Sequence, residues 1–138
     1  MRFSLVSLCL ATLTTATPAS KTGLTDQWKD FSNTCTDLTL LNDGRTLGAA
    51  CTDNQSKGIF STFELALCVG MDYKTCELDW SYLGKFTNYC SNCTLKGSSL
   101  HCTCDGGRSG PHNSSLDLNQ NIGNDDALLG ERGVLCPY

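Results

Sequence analysis

The hydrophobic pattern changes character near residue 20. Before it, Phe3 to Leu13 is a nearly unbroken apolar run, led by Met1-Arg2 and followed by the small-residue stretch Thr14-Thr15-Ala16-Thr17-Pro18-Ala19. This is the layout of a secretory signal peptide. The run is too short to span a bilayer. Cleavage after Ala19 is expected, and Ala16 fits the same rule. Beyond it the apolar positions are short and alternating, which predicts strands. Asp37 to Leu41 and Leu47 to Cys51 flank the turn Asn42-Asp43-Gly44, and Ile59 to Leu67 reads as a third strand. Cys90 to Leu95 and Leu100 to Cys104 flank the turn Lys96-Gly97-Ser98-Ser99. Asp105 to Pro111 is loop chemistry, Ser115 to Leu118 a further strand, and Asn119 to Asn124 a turn or helical turn.

These two sets of elements are one unit used twice. Phe31-Ser32-Asn33-Thr34-Cys35 answers Phe86-Thr87-Asn88-Tyr89-Cys90. Leu47 to Cys51 answers Leu100 to Cys104, Ser61 to Leu65 answers Ser114 to Leu118, and Val69 to Asp72 answers Ile122 to Asp125. Two copies are too few for a solenoid, so they should pack on each other as one domain. The division expected is a signal peptide over 1–19 and a single domain over 20–138. Repeat one covers about 28–80 and repeat two about 84–130.

Composition narrows the classes. Ten Lys and Arg against 14 Asp and Glu give a net charge of −4. A basic nucleic-acid face or a polybasic membrane anchor is not expected. Only His101 and His112 are available for histidine chemistry, and no Ser, His and acid cluster reads as a triad. His101 lies mid-strand, facing solvent, and His112 lies in the Pro111 loop. Asp125 and Asp126 are adjacent carboxylates with nothing to place a substrate between them. Trp28, Phe60 and Phe63 read as packing residues. Neither an enzyme nor a metal or cofactor is expected.

Removing 19 of the 138 residues leaves 119, with nine cysteines. In a secreted chain these read as disulfides, and the odd count leaves one out. Cys35 with Cys51, and Cys90 with Cys104, sit at the open ends of matched hairpins. Each would close a loop of about 15 residues, worth about 3 kcal/mol in the chain-entropy account. Cys93 and Cys102 could form a second rung. Cys102 and Cys104 share a strand face while Cys90 and Cys93 do not, so both rungs require a bulge between Cys90 and Cys93. Cys68 and Cys76 remain as a local pair, and Cys136 is left over. The four sulfurs of the later hairpin could also be drawn as a zinc site, but secretion favours oxidised bridges. Asn54, Asn92 and Asn113 head N-glycosylation sequons. Asn54 and Asn113 are the expected acceptors, because Cys93 beside Asn92 is tied into a bridge.

The second unit carries Phe86-x3-Cys90, a Leu100-to-Cys104 return, Ser115-Leu116-Asp117-Leu118-Asn119, and Ile122-Gly123-Asn124-Asp125-Asp126. This resembles the cyanovirin-N homology family, in its secreted fungal form, over about residues 28 to 130. The resemblance implies an elongated all-β fold of pseudo-twofold symmetry with short helical turns, in which each half combines parts of both repeats. It implies a non-catalytic lectin for high-mannose or related glycans, existing as a monomer or a domain-swapped dimer.

Carried over residue by residue, one family site falls on Asp30, Asn33 and Thr34, then Thr52, Asp53 and Asn54, then Asn124, Asp125 and Asp126. Their carboxylates accept and their amides do both, which suits sugar hydroxyls; in turns, Asp and Asn also serve simply as turn formers. The other family site has departed further. Met71 stands at its Asn position, the Asp-Gly is missing, and Cys76 enters a longer turn. Only Trp80, Asn88, Asp105 and Arg108 remain as contacts, and a working second site is not expected. Repeat two has Ala127 where the family has Gly, so a left-handed backbone there would be strained. The leading reading is a secreted mannose-type lectin. The alternative is a secreted, disulfide-stabilised interaction or effector protein that keeps the fold without binding sugar.

Overall fold

Each predicted hairpin begins a three-stranded antiparallel sheet. The computed structural model describes residues 29–106 and 110–129. The segment expected to be a signal peptide, Trp28, Arg108 and Cys136 lie outside them. In the first sheet β1 (Cys35–Leu41), β2 (Thr46–Thr52) and β3 (Gly58–Glu64) lie in chain order. A two-stranded hairpin follows, β4 (Val69–Asp72) with β5 (Glu77–Trp80). The second unit repeats the plan with β6 (Cys90–Lys96), β7 (Ser99–Cys104) and β8 (His112–Asp117), then β9 (Asn124–Asp125) with β10 (Leu128–Leu129). Single 3-10 turns sit at Phe31–Asn33, Leu65–Leu67, Phe86–Asn88 and Leu118–Gln120.

The sequence pattern differs from this at two kinds of place. The strand expected over Ile59 to Leu67 ends at Glu64, and Leu65–Leu67 turns into the core instead. The strand expected from Ser115 begins earlier, at His112, and likewise passes into a 3-10 turn at Leu118. The small hairpins β4–β5 and β9–β10 are too short to show an alternating pattern.

The core records the duplication. Phe31 and Phe86, Leu47 and Leu100, Leu65 and Leu118, Val69 and Ile122, and Leu78 and Leu129 are matched pairs of buried side chains. The halves are interleaved. Hairpin β4–β5, from repeat one, packs on β8 of repeat two, and Leu78 N–H donates to Ser114 Oγ at 2.7 Å. Strand β10, from repeat two, packs on β2 and β3 of repeat one, and Leu129 N–H donates to Ser61 Oγ at 2.9 Å. The connection between repeats is held close: Lys85 N–H donates to Ala66 O, and Leu83 N–H to Leu67 O. Gly84 passes directly over the backbone of Gly70, leaving no room for a Cβ.

Both predicted rungs of the later hairpin form. The register shifts between Ser91 and Thr94, with Asn92 in the left-handed region at φ 51°. This bulge turns Cys93 toward Cys102 while Cys90 faces Cys104, and both pairs are disulfides. The first sheet has the same bulge at Asp37 (φ 54°), and Cys35 is bridged to Cys51. The four thiols that could have held zinc are consumed in these bridges.

The expected Cys68–Cys76 pair does not form. Cys76 is a buried free thiol, and Cys68 is in a disulfide, but not with any other described cysteine. The reason is strand geometry. Cys76 sits at the tip of the small hairpin, its N–H donating to Asp72 O. Cys68 precedes its base, and four residues of strand separate them by roughly 13 Å. A disulfide needs Cα atoms within about 7 Å.

Candidate functional site

Three stretches of chain meet at the open end of the first sheet. The 3-10 turn at Phe31–Asn33 is fixed across the halves: Asp30 N–H donates to Asn119 O, Phe31 N–H to Ile122 O, Ser32 N–H to Asn119 Oδ1, and Asn119 Nδ2 to Ser32 Oγ. Thr34 follows it. Thr52, at the end of β2, donates both its N–H and its hydroxyl to Thr34 O, at 3.0 and 2.7 Å. From repeat two, Asn124 Nδ2 donates to Thr34 Oγ1 and to Thr52 O, each at 2.9 Å. Asp126 Oδ1 accepts from Asn54 N–H at 2.8 Å.

Thr34, Thr52, Asn54, Asn124 and Asp126, taken from the resemblance, are therefore brought together. Asn33, Thr34, Thr52, Asn54 and Asp126 are exposed. Their hydroxyls, the amides of Asn33 and Asn54, and the second carboxylate oxygen of Asp126 form a shallow polar surface. Asn124 is the cross-brace beneath it. Its Nδ2 is fully used, and its Oδ1 is buried with no partner among the described residues. Burying an acceptor unpaired costs about 1–3 kcal/mol, so a hydroxyl reaching it would recover that cost.

The other proposed members are placed differently. Asp53 folds into its own turn, where Oδ1 accepts from Gln55 N–H and Lys57 N–H. Asp125 is half-buried in β9, paired with Leu128. Asp30 is a left-handed residue ahead of the 3-10 turn, and its side chain does not cap that turn. Sequence reasoning missed Asn119, which clamps Ser32. Its place at the end of Ser115-x-Asp117-Leu118-Asn119 was visible, but its partner was not.

The opposite end is built on the same backbone. There Asp105 N–H donates to Tyr89 O, as Thr52 does to Thr34. The side chains differ throughout. Met71 is buried where Asn124 braces the first end, and its Cε lies against Gly106. Tyr73 is exposed and meets Tyr89 edge-on, with ring centres 5.2 Å apart and planes at 82°. A hydrogen bond to Tyr89 holds the Tyr73 phenol above its ordinary pKa, with smaller contributions from desolvation and charge repulsion by Tyr89.

Of the described contacts proposed for a second site, Trp80 is set apart from Asn88 and Asp105. Trp80 is at the base of β4–β5, paired with Val69, and its Nε1–H donates to Asn121 Oδ1 at 3.0 Å once that amide is oriented to suit both neighbours. Asn88 and Asp105 are exposed at the far, turn end of that hairpin. Arg108 is outside the described residues. Among the described residues no group of three His, Cys, Asp or Glu side chains is placed to hold a metal ion. No helix among them is long and apolar enough to cross a membrane. The sequon residues Asn54, Asn92 and Asn113 are all exposed.

Two interleaved β repeats, each ending in a polar or aromatic surface, define a tandem-repeat all-β domain. The CVNH domain family matches residues 31–130, and the chain belongs to it. Solved structures agree on the fold. TbCVNH of T. borchii is 26% identical, with a TM-score of 0.62, over 75% of this chain and 99% of its own. Microvirin, solved as its mannobiose complex, is 24% identical with a TM-score of 0.63 over the same shares. A MoCVNH3 variant in complex with (N-GlcNAc)4 is 16% identical with a TM-score of 0.68, over 75% and 97%. No curated protein matches the chain.

Proposed function

We propose that this protein is a secreted, non-catalytic lectin that binds mannose-type glycans at the Thr34–Thr52–Asn124–Asp126 end. The observation that carries this reading is the assembly of one exposed polar surface from both repeats, braced by Asn124. Membership of the CVNH family and the sugar complexes of microvirin and the MoCVNH3 variant support it. Hydrogen bonds to sugar hydroxyls net only about 1 kcal/mol each, so single-site affinity is weak and avidity matters. The second end, with Met71 and Tyr73 in place of the polar brace, binds no mannose in this reading.

That loss at one end favours a second reading, in which the chain is a secreted interaction or effector protein that has given up sugar altogether. Calorimetric titration of the unglycosylated mature chain with short mannose oligosaccharides separates them. The lectin reading expects a single saturable site. Absence of binding to mannose oligosaccharides, and to any neutral glycan on an array, favours the effector reading.

A further inference from the structure

The outer face of the second sheet carries a groove of about 310 Å³ that the mannose reading does not use. Its walls are Thr94 and Lys96 of β6, His101 and Thr103 of β7, and Asn113 and Ser115 of β8. The strands put them in rows: Thr94 faces His101, which faces Ser115, and Thr103 faces Asn113. Alternation along β7 explains the face, because Leu100, Cys102 and Cys104 point inward.

The equivalent face of the first sheet is closed. There Gly48 stands at the His101 position and Phe60 at the Asn113 position, by the matching registers. The Phe60 ring lies so close over Gly48 that a Cβ there would come within 2.7 Å of its Cζ. The groove is thus a property of the second repeat and not of the shared backbone.

Its charge is the opposite of the chain's. Acidic residues outnumber Lys and Arg 14 to 10, yet no described lining residue is acidic. Lys96 makes no ion pair with any described residue. Asp117 lies in the same cross-strand row as Lys96, beyond Ser99, and its Oδ1 is engaged locally, accepting from Ser98 Oγ at 3.2 Å and Asn119 N–H at 3.0 Å. The remaining walls offer hydroxyls, the amides of Asn92 and Asn113 and an imidazole, with no large apolar anchor for a peptide side chain. Asn113 is held by Thr103, whose hydroxyl donates to its Oδ1 at 3.1 Å, leaving the amide nitrogen to face a ligand.

We propose that this groove binds an anionic saccharide, one carrying uronate carboxylates. Lys96 is the charge partner, and His101, Asn113 and Ser115 take its hydroxyls. Asn92 and Asn113 both head sequons and line the groove, so the test uses the mature chain made without N-glycans. Amide shifts in heteronuclear NMR are followed during titration with trigalacturonate, with mannobiose, and with sulfate at matched ionic strength. The expected result is saturable movement at Thr94, His101, Thr103 and Ser115 with trigalacturonate alone. Lys96→Gln should weaken it by roughly fivefold, as loss of a solvent-exposed ion pair does at most, and added salt should weaken it further. Silence of this sheet, equal movement with sulfate or mannobiose, or unchanged affinity in Lys96→Gln would each overturn the proposal. Mannose binding at Thr34 and Asn124 is read in the same spectra, so the two sites stand or fall separately.

Discussion

The described non-glycine residues with left-handed backbone include two in the turns of the small hairpins. Ala127 at φ 70° and Cys76 at φ 58° occupy equivalent places in the two small hairpins, where the family pattern has glycine. A Cβ there costs about 1–2 kcal/mol, and restoring glycine returns part of this to a more flexible unfolded chain, about 0.4–1 kcal/mol. Ala127→Gly should therefore stabilise the protein, by up to about 1 kcal/mol, in denaturant unfolding. A loss would mean that the buried methyl group contributes more than the strain it causes. Tyr73 gives a second test at this scale. Its raised pKa means that folding favours the neutral phenol. The associated stability is complete below the ordinary tyrosine value of about 10 and is lost as pH rises through the folded value. Tyr89→Phe removes the largest cause, so ultraviolet titration should show Tyr73 ionising at lower pH than in the wild type.

Among the elements, the paired hairpins carry the covalent reinforcement. Opening Cys35–Cys51 by double substitution with Ser should cost about 3 kcal/mol, from its loop of about 16 residues. Opening Cys93–Cys102 should cost less than its own loop predicts, because Cys90–Cys104 already closes the chain around it. Equal losses in guanidinium unfolding would argue against this account. These hairpins were legible because their strands are long enough to alternate, and cysteine parity even required the bulge that Asn92 supplies. The small hairpins were not, since four or two residues per strand carry no periodicity. That omission also produced the wrong Cys68–Cys76 pairing: without β4 between them, the two cysteines look local. Candidate site residues were legible only through the family pattern. Asp53 shows the limit, since a turn-forming Asp and a ligand Asp are the same letter, and here its Oδ1 is taken by the turn.

At the scale of the molecule, interleaving makes the connection between repeats a structural element. Ser81 to Lys85 is pinned to the carbonyls of Ala66, Leu67 and Cys68, and Gly84 crosses Gly70 without space for a side chain. Gly84→Ala should destabilise by about 1–3 kcal/mol, as overpacking does. Removing residues from this stretch should prevent the return path and drive exchange of halves between two chains. Light scattering of a shortened variant should then report a dimer, whereas a folded monomer would contradict the tight interleaving.

The same interleaving is what builds the proposed mannose surface, since Asn124 and Asp126 come from one repeat and Thr34 and Thr52 from the other. The most direct test is a heteronuclear NMR titration of the unglycosylated mature chain with mannobiose, run on the wild type and on Asp126→Ala. The account predicts saturable shifts confined to Thr34, Thr52 to Asn54 and Asn124 to Ala127. It further predicts a loss of about 1.5–3 kcal/mol in the variant, the worth of a hydrogen bond to a charged acceptor. Binding that survives Asp126→Ala while the shifts fall on Tyr73, Asn88 and Asp105 would contradict it, because the sugar would then be held at the opposite end.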